Sequence, residues 1–206
     1  MEQVLSDLVK YCSYAGDKGL TPGISGNVSA RYNDDFYITV SGSASGYLDK
    51  DKDVVLINKQ GELISKTSQK PSSERFLHLE FYKMRPDINA IFHVHSPYLT
   101  AFASSATALE EPISPEIVYC FGKIPLAEYA LPGSDELVKK TSKYFTDYDI
   151  ILMENHGVIV GGTSIKDAYL KLELAEAYAK TIICSKILGG AKTLPPEEVK
   201  KIYELR

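Results

Sequence analysis

The stretch Ile91-Phe92-His93-Val94-His95-Ser96-Pro97 places two histidines two residues apart in a short apolar run. The side chains of a β-strand point alternately to the two faces of its sheet, so in a strand His93 and His95 share one face. The apolar residues before the pair and the proline after it favour a strand here. Two imidazoles on one face suit a single metal ion.

A third histidine, His156, lies in a short turn between the apolar runs 150–153 and 158–160. Three imidazoles with an open fourth position are typical of a catalytic zinc site rather than a structural one. The alternative is a set of core or surface histidines with satisfied hydrogen bonds. The fourth histidine, His78, is interpreted as structural or supporting, because no strand geometry aims it with the others.

Composition narrows the classes of function. The chain has 206 residues with 44% hydrophobic residues, which predicts a single domain over residues 1–206. A net charge of −4 without a basic block argues against nucleic acid as a partner. Apolar runs too short for a membrane span argue against a membrane partner. The absence of signal-peptide features and the three widely spaced cysteines predict a reduced, cytoplasmic protein.

The spacing of apolar residues and the turn signals predict alternating helices and strands. We expect Ser72 or Ser73 to cap a helix that has Glu74 in its first turn, and residues 105–133 to be irregular. The interleaved order predicts a mixed sheet covered by helices. Helices are expected over residues 3–18, 72–85, 98–104, 134–144, 164–188 and from 195. Strands are expected at 36–40, 54–58, 62–64, 150–153 and 158–161, and in the run from Asn89 through His93 and His95 that Pro97 ends.

Three loops are built from small polar residues: Gly26-Asn27, Ser41-Gly42 and Ser72-Ser73. Backbone N–H groups, hydroxyls and the start of the following helix could together hold a phosphate, although each loop alone could be only a turn or a cap. The chain has no Walker loop or Gly-x-Gly-x-x-Gly motif, which argues against a nucleotide. Glu74 follows the serines and could be a general base, a fourth metal ligand or simply a helix-start charge.

Taken together, five motifs resemble the successive signatures of the class II aldolase/adducin head family, in order and spacing over nearly the whole chain. The resemblance implies a three-layer α/β/α fold whose central mixed sheet is largely antiparallel. It also implies a homotetramer with one zinc ion per subunit and a small sugar phosphate as substrate. The motifs are Gly26–Ser29, Thr39–Gly42, Lys70–Glu74, His93–Ser96 and Asn155–Gly157.

The resemblance also implies roles for individual residues. Glu74 would be the acid/base and could bind zinc when no substrate is present. A tyrosine from a neighbouring subunit would complete the site, with Tyr119 as the match and Tyr129 as the alternative. The implied reaction cleaves a ketose 1-phosphate to dihydroxyacetone phosphate and a small aldehyde through an enediolate. The implied zinc ligands are His93, His95 and His156, and the implied phosphate site is Gly26, Asn27, Ser41, Gly42, Ser72 and Ser73.

Other members of the family supply the alternatives. The chain also resembles a pentulose-5-phosphate 4-epimerase, which typically has aspartate where this chain has Glu74. It resembles a methylthioribulose-1-phosphate dehydratase too, but that motif reads Pro-Ser-Ala-Glu and this chain has Ser73. A non-catalytic module like the adducin head would lose metal ligands, whereas all three histidines are present here. Aldehyde specificity is expected to come from residues 105–133 and the C-terminal tail.

Overall fold

A computed structural model describes residues 2–205. Seven strands within this range form one sheet, in the order β3-β2-β1-β4-β7-β6-β5. All neighbouring strands are antiparallel except β5 and β6, which are parallel. The predicted mixed, largely antiparallel sheet is therefore confirmed. The strands are β1 (Asn27–Tyr32), β2 (Asp35–Thr39), β3 (Val54–Ile57), β4 (Ala90–Val94), β5 (Leu126–Ala127), β6 (Ile150–Met153) and β7 (Gly157–Gly162).

Helices cover both faces of the sheet, which confirms the predicted three-layer α/β/α arrangement. One apolar cluster packs α1, α3, α4 and α6 on one face, and a second packs α2 and α5 on the other. Within residues 2–205 no helix combines the length and the apolarity needed to cross a bilayer. The helices are α1 (Glu2–Asp17), α2 (Arg75–Met84), α3 (Pro97–Ser104), α4 (Pro115–Cys120), α5 (Asp135–Thr141), α6 (Ile165–Ile187) and α7 (Pro196–Tyr203), with a 3₁₀ turn at Ser142–Tyr144.

The strand β4 lies at the centre of the sheet, between β1 and β7, and all of its residues are buried. Its side chains alternate between the two apolar clusters: Phe92 and Val94 belong to the first, and Ile91 belongs to the second. His93 therefore projects toward the face covered by α2. A polar side chain is thus placed in the middle of the molecule, where only neighbouring protein groups or a bound ligand can satisfy it.

The start of α2 differs from the prediction. The helix begins at Arg75 with Glu74 as its N-cap residue, so neither Ser72 nor Ser73 caps it and Glu74 precedes the first turn. The reason is that Ser72 is bonded to the sheet and Ser73 and Glu74 form a turn: Ser72 N–H donates to Thr39 O over 3.1 Å, and Pro71 bridges to Val40 just after β2. The Ser72 hydroxyl oxygen accepts the Glu74 N–H over 3.2 Å instead.

Two further predictions need correction. Residues 105–133 are not wholly irregular, because they contain α4 and the short strand β5. The Ser114 side chain accepts a hydrogen bond from Ile117 N–H, and Pro115 occupies the first turn, which is a readable helix start. Residues 62–64 make one isolated bridge, Ile57 to Leu63, rather than a strand. The long helix capped by Ser164 is confirmed.

Candidate active site

Three imidazoles meet at the end of β4. His93 is the fourth residue of that strand, His95 lies just beyond its end, and His156 lies in the turn between β6 and β7. Antiparallel pairing of β4 with β7 brings these distant segments together. One nitrogen from each ring can be chosen so that all three lie within 4.8 Å of one another, an arrangement that could hold a metal ion. His93 is fully buried, and the other two are partly buried.

Two glycines make this approach of the chains feasible. A Cβ on Gly157 would lie 2.6 Å from both His95 Cδ2 and the Val94 carbonyl oxygen. A Cβ on Gly26 would lie 2.4 Å from the His93 carbonyl oxygen, and Gly26 also has a φ of +81°, which favours glycine. A side chain at either position would displace the segment 93–95. Glycine at both positions therefore allows the neighbouring chains to approach that segment closely.

The nitrogen atoms fit a cation. His93 Nδ1 lies 3.0 Å from the Val158 carbonyl oxygen, which can only accept, so Nδ1 carries a hydrogen, and loss of the Nε2 proton would present a lone pair to a metal at Nε2. That Nε2 lies 3.3 Å from His95 Nε2. Orientation of a histidine ligand by a backbone carbonyl on its other nitrogen is a common feature of metal sites. The donor set thus suits a metal bound through ring nitrogens.

The Glu74 carboxylate lies against two of the imidazoles. Its Oε2 lies 3.0 Å from His93 Nε2 and accepts a hydrogen bond from Asn27 Nδ2 over 2.9 Å. Its Oε1 lies 3.4 Å from His156 Nε2 and is buried without a hydrogen bond from any described residue. Asn27 is directly opposite His93 in the β1–β4 pair, so the sheet itself aligns these contacts.

Burial and charge act in opposite directions on these groups. Burial alone would raise the pKa of Glu74, but the charge of His93, the hydrogen bonds from His93 and Asn27 and the adjacent His156 ring hold that pKa well below its usual range. Burial, aided by the charge of His93, lowers the pKa of His95 and of His156 to about 4. Burial would also lower the pKa of His93, but Glu74 outweighs it and raises that pKa. An ionised carboxylate beside neutral His95 and His156 suits metal ligation.

The structure brings the predicted phosphate-binding loops to one end of the sheet. Ser41 N–H donates to the Lys70 carbonyl oxygen over 2.9 Å, which places Ser41-Gly42 beside Ser72-Ser73. Asn27, which follows Gly26, reaches the same place through its bond to Glu74. Asn27 and Ser72 are buried, whereas Ser41, Gly42 and Ser73 are exposed. The residues predicted to bind a phosphate therefore lie in one region of the molecule, where some of them are buried and others are exposed.

The two candidate tyrosines lie outside this cluster of histidines. Tyr119 is on α4 and Tyr129 follows β5, and each is about half exposed, at 49% and 47%. The Tyr129 backbone N–H donates to Glu154 Oε2 over 3.0 Å, so this residue is tied to the turn that carries His156. A catalytic tyrosine contributed by a neighbouring subunit remains a prediction.

Sequence reasoning missed two residues beside His78, which are Ser29 and Tyr82. His78, interpreted as structural or supporting, lies outside the group of three histidines, and its Nδ1 is 2.7 Å from Ser29 Oγ. Ser29 Oγ is also 2.7 Å from the Tyr82 hydroxyl. The sequence contains a signal for this cluster, because Ser29 is two residues from Asn27 on a strand and Tyr82 is four residues from His78 on a helix. The contact of Ser29 with His78 and Tyr82, however, depends on how that helix packs on that strand.

Comparisons with known proteins identify the chains that this one resembles. The profile of the family described as Class II Aldolase and Adducin N-terminal domain matches residues 6–183. An L-fuculose phosphate aldolase of Methanocaldococcus jannaschii is 38% identical over 84% of this chain and 91% of its own. A 5-deoxy-D-ribulose 1-phosphate aldolase of Bacillus thuringiensis serovar kurstaki is 32% identical over 98% of this chain and 94% of its own.

A relative of another activity and a solved structure complete the comparison. A 3-oxo-tetronate 4-phosphate decarboxylase of Pectobacterium atrosepticum is 33% identical over 93% of this chain and 87% of its own. A solved structure of an L-fuculose 1-phosphate aldolase superposes with a TM-score of 0.89 at 30% identity, covering 99% of this chain and 96% of that one. Similar chains thus carry at least two kinds of reaction.

Proposed function

Because the chain belongs to the class II aldolase and adducin N-terminal domain family, we propose that it is a metal-dependent aldolase that cleaves a ketose 1-phosphate to dihydroxyacetone phosphate and a small aldehyde. L-fuculose 1-phosphate or a similar sugar phosphate is the proposed substrate, supported by the names of the relatives. The observation that carries the proposal is the meeting of three imidazoles with a carboxylate that touches two of them. We place this activity in the cytoplasm.

The side chains of His93, His95 and His156 would hold the metal, with Glu74 as a fourth ligand when substrate is absent. Zinc is the proposed ion, one per subunit, because three imidazoles favour it over ions that prefer oxygen ligands. When bound, the ion supplies Lewis-acid polarisation of the substrate carbonyl. The protein's part is to hold the three rings in fixed orientations, as the bond from His93 to Val158 O does for one of them.

Glu74 is the proposed proton-transfer group. Asn27 holds Oε2, while Oε1 accepts no hydrogen bond from the described residues and so is the atom available for a proton. In the direction of synthesis, Oε1 would take a proton from the hydroxymethyl carbon of dihydroxyacetone phosphate. In the direction of cleavage, it would return that proton to the same carbon.

The small-residue loops would bind the phosphate. The Ser72 hydroxyl oxygen accepts the Glu74 N–H, which leaves its hydrogen available to donate to a phosphate oxygen. Ser41, Gly42, Ser73 and Gly26-Asn27 would add hydroxyl, amide and backbone donors at the same end of the sheet. Tyr119, or alternatively Tyr129, would reach the aldehyde oxygen from a neighbouring subunit of a homotetramer.

A decarboxylase is the second candidate, and the similarity to the 3-oxo-tetronate 4-phosphate decarboxylase favours it. The chemistry of the two reactions overlaps. Loss of carbon dioxide from a 3-oxo-tetronate 4-phosphate leaves the skeleton of dihydroxyacetone phosphate, and its carbon must then receive one proton. The same polarised carbonyl, phosphate pocket and proton donor therefore serve either reaction, and the two candidates differ in the group that leaves.

The test has two steps. First, the zinc-loaded protein is incubated with dihydroxyacetone phosphate in deuterium oxide without an aldehyde, and we expect exchange of a hydroxymethyl proton that Glu74→Gln loses. Absence of exchange in the unaltered protein, together with interconversion of ribulose and xylulose phosphates, would replace the aldolase by the epimerase. A protein with neither bound metal nor activity would support the adducin-like module.

The second step separates the substrates. The panel contains fuculose 1-phosphate, rhamnulose 1-phosphate, 5-deoxyribulose 1-phosphate, ribulose 5-phosphate and 3-oxo-tetronate 4-phosphate. An aldolase releases dihydroxyacetone phosphate together with an aldehyde, whereas a decarboxylase releases carbon dioxide. Release of carbon dioxide from the oxo acid, with no aldehyde from any ketose phosphate, would favour the second candidate.

A further inference from the structure

A seam of polar side chains joins β1 to α2 within an otherwise apolar layer. Ser29 and His78 are each 1% exposed and Tyr82 is 3% exposed, and most of the side chains around them between the sheet and α2 are apolar. The β1–α2 seam, as we call it, consists of Asn27, Ser29 and Arg31 on the strand, Glu74 at the N-cap of α2, and His78 and Tyr82 on the helix.

The spacing of the two elements allows this pairing. Alternate residues of a strand are about 6.7 Å apart, and residues four apart in a helix are about 6 Å apart. Because the two spacings are similar, three successive contacts can form between the strand and the helix before the paired residues move too far apart. The contacts are Asn27 Nδ2 to Glu74 Oε2 at 2.9 Å, Ser29 Oγ to His78 Nδ1 at 2.7 Å and Arg31 Nη2 to the Tyr82 carbonyl oxygen at 3.2 Å.

The middle of the seam is a chain of three groups. Ser29 Oγ lies 2.7 Å from both His78 Nδ1 and the Tyr82 hydroxyl, but it has one hydrogen to donate. If Tyr82 donates to Ser29 and Ser29 donates to His78, both hydroxyl hydrogens are used, and the hydrogen on His78 Nε2 is buried without an acceptor in the part of the chain that the structure describes. The opposite direction leaves the Tyr82 hydroxyl hydrogen without an acceptor among residues 2–205. The buried His78, whose pKa burial chiefly lowers to about 3, is neutral and can accept.

We propose that Ser29, His78 and Tyr82 are positioning residues that fix the register of α2 against β1 and thereby hold the Glu74 carboxylate beside His93. An apolar seam would pack equally well in neighbouring registers, whereas a shift of this seam would break its three contacts and leave further buried polar groups unpaired. A slip of one helical turn would move Glu74 by about 5.4 Å, well beyond contact with the imidazoles. This inference rests on the proposed role of Glu74 in proton transfer.

The predicted phosphate-binding segment Ser72-Ser73, which precedes α2, is held to the sheet by contacts other than those of the seam. Ser72 N–H donates to Thr39 O, and Val40 bridges to Pro71, so this segment is held to β2 by backbone bonds that do not involve the seam. Weakening the seam should therefore disturb Glu74 more than it disturbs phosphate binding. The expected kinetic signature is a lower kcat with a nearly unchanged KM.

The kinetic test compares Tyr82→Phe and Ser29→Ala with the matched control Tyr178→Phe. Tyr178 is also buried and donates its hydroxyl hydrogen to the Glu111 carbonyl oxygen over 2.6 Å, but it lies on α6 on the other face of the sheet. We expect Tyr82→Phe and Ser29→Ala to lower kcat for the deuterium exchange roughly 10-fold, because small misplacements of a reacting group are costly. Zinc content should stay at the wild-type level, and Tyr178→Phe should match the unaltered protein in both measurements.

Two further measurements separate positioning from general weakening. Crystal structures of Tyr82→Phe and Ser29→Ala should show Glu74 displaced from His93 Nε2, whereas Tyr178→Phe should keep the 3.0 Å contact. In a double-mutant cycle, Tyr82→Phe should add little to the loss already caused by Glu74→Gln. An unmoved Glu74 with exchange no slower than in Tyr178→Phe would overturn the inference. If the unaltered protein shows no exchange, the proposed function fails, and the position of Glu74 in the crystals still decides the inference.

Discussion

Two buried glutamates sit on opposite faces of the sheet, and they have very different partners. Glu176 on α6 is 7% exposed and Glu74 at the start of α2 is 8% exposed. Both oxygens of Glu176 accept hydrogen bonds, from the Ser96 hydroxyl and from two backbone N–H groups at the start of α3, over 2.8–2.9 Å. A negative charge at that position also favours the helix.

Glu74 has no such set of donors. Asn27 donates to one oxygen, while the other oxygen has no hydrogen bond from the described chain and both oxygens face imidazole nitrogens. Burial alone therefore does not mark a reactive carboxylate. The difference lies in the partners: Glu176 is saturated with donors and stabilises a helix start, whereas Glu74 retains capacity for a metal or a proton.

The largest expected effect tests whether Glu74 faces a metal centre at all. His156→Ala should lower zinc occupancy and lose essentially all turnover, because a tight catalytic site needs three protein ligands. Elemental analysis and the exchange assay measure this. His78→Ala is the control and should keep its zinc, since His78 lies outside the donor cluster. Full zinc content with a normal rate in His156→Ala would contradict the assignment of the three histidines as a metal centre beside Glu74.

The next effect tests the function of Glu74 directly. Glu74→Gln should slow deuterium exchange by about 10²–10⁴-fold, the usual contribution of a general base. Its urea-unfolding midpoint should remain near that of the unaltered protein, because few hydrogen bonds depend on this carboxylate. An exchange rate equal to wild type would reduce Glu74 to a ligand or a helix-start charge, and Tyr119 would be the next base to test.

The same substitution at the other glutamate should give the opposite result. Glu176→Gln replaces one acceptor oxygen by an NH₂ group that faces donors, so we expect the free energy of unfolding to fall by about 2–3 kcal/mol. Exchange per folded molecule should change far less than in Glu74→Gln. Urea denaturation and the exchange assay, run on both variants, measure the contrast. A stable Glu176→Gln with lost exchange would mean that the two glutamates have been assigned the wrong way round.

The smallest effect concerns the residue that orients the Glu74 backbone. Ser72→Ala should raise KM for a phosphorylated ketose roughly 10-fold, because a hydrogen bond to a charged group contributes about 1.5 kcal/mol or more. KM for the unphosphorylated analogue should not change. Asn27→Ala should add to this a loss of kcat, since Asn27 also holds Glu74. Equal effects of Ser72→Ala on both substrates would place the phosphate elsewhere.

The histidine cluster could be anticipated because its geometry follows from the chain itself. The period of two puts His93 and His95 on one side of β4, and the short turn between two apolar runs puts His156 at a strand end. Only the pairing of β4 with β7 had to be assumed. The mixed sheet covered by helices was likewise accessible from the alternation of helical and extended patterns, whereas its largely antiparallel pairing was implied by the resemblance to the family.

What the sequence did not reveal depends on packing between distant elements. Glu176 looks like an ordinary charged residue of a long helix, and its donors on α3 are 77–80 residues away. The pairing of Ser29 with His78 needs the register of a helix on a strand, which no local pattern supplies. The start of α2 was misplaced for a related reason, because Ser72 uses its backbone N–H to bond to β2.

Gly26 and Gly157 carry a consequence for reading sequence variation. Neither has a side chain that could bind, donate or react, yet an added methyl group at either would collide with the backbone or ring of a neighbouring histidine. In a saturation scan scored by growth or turnover, both positions should therefore be as intolerant as His93 itself. Intolerance to substitution in this protein can therefore result from lack of space as well as from a chemical role. The scores of such a scan do not by themselves distinguish the two causes.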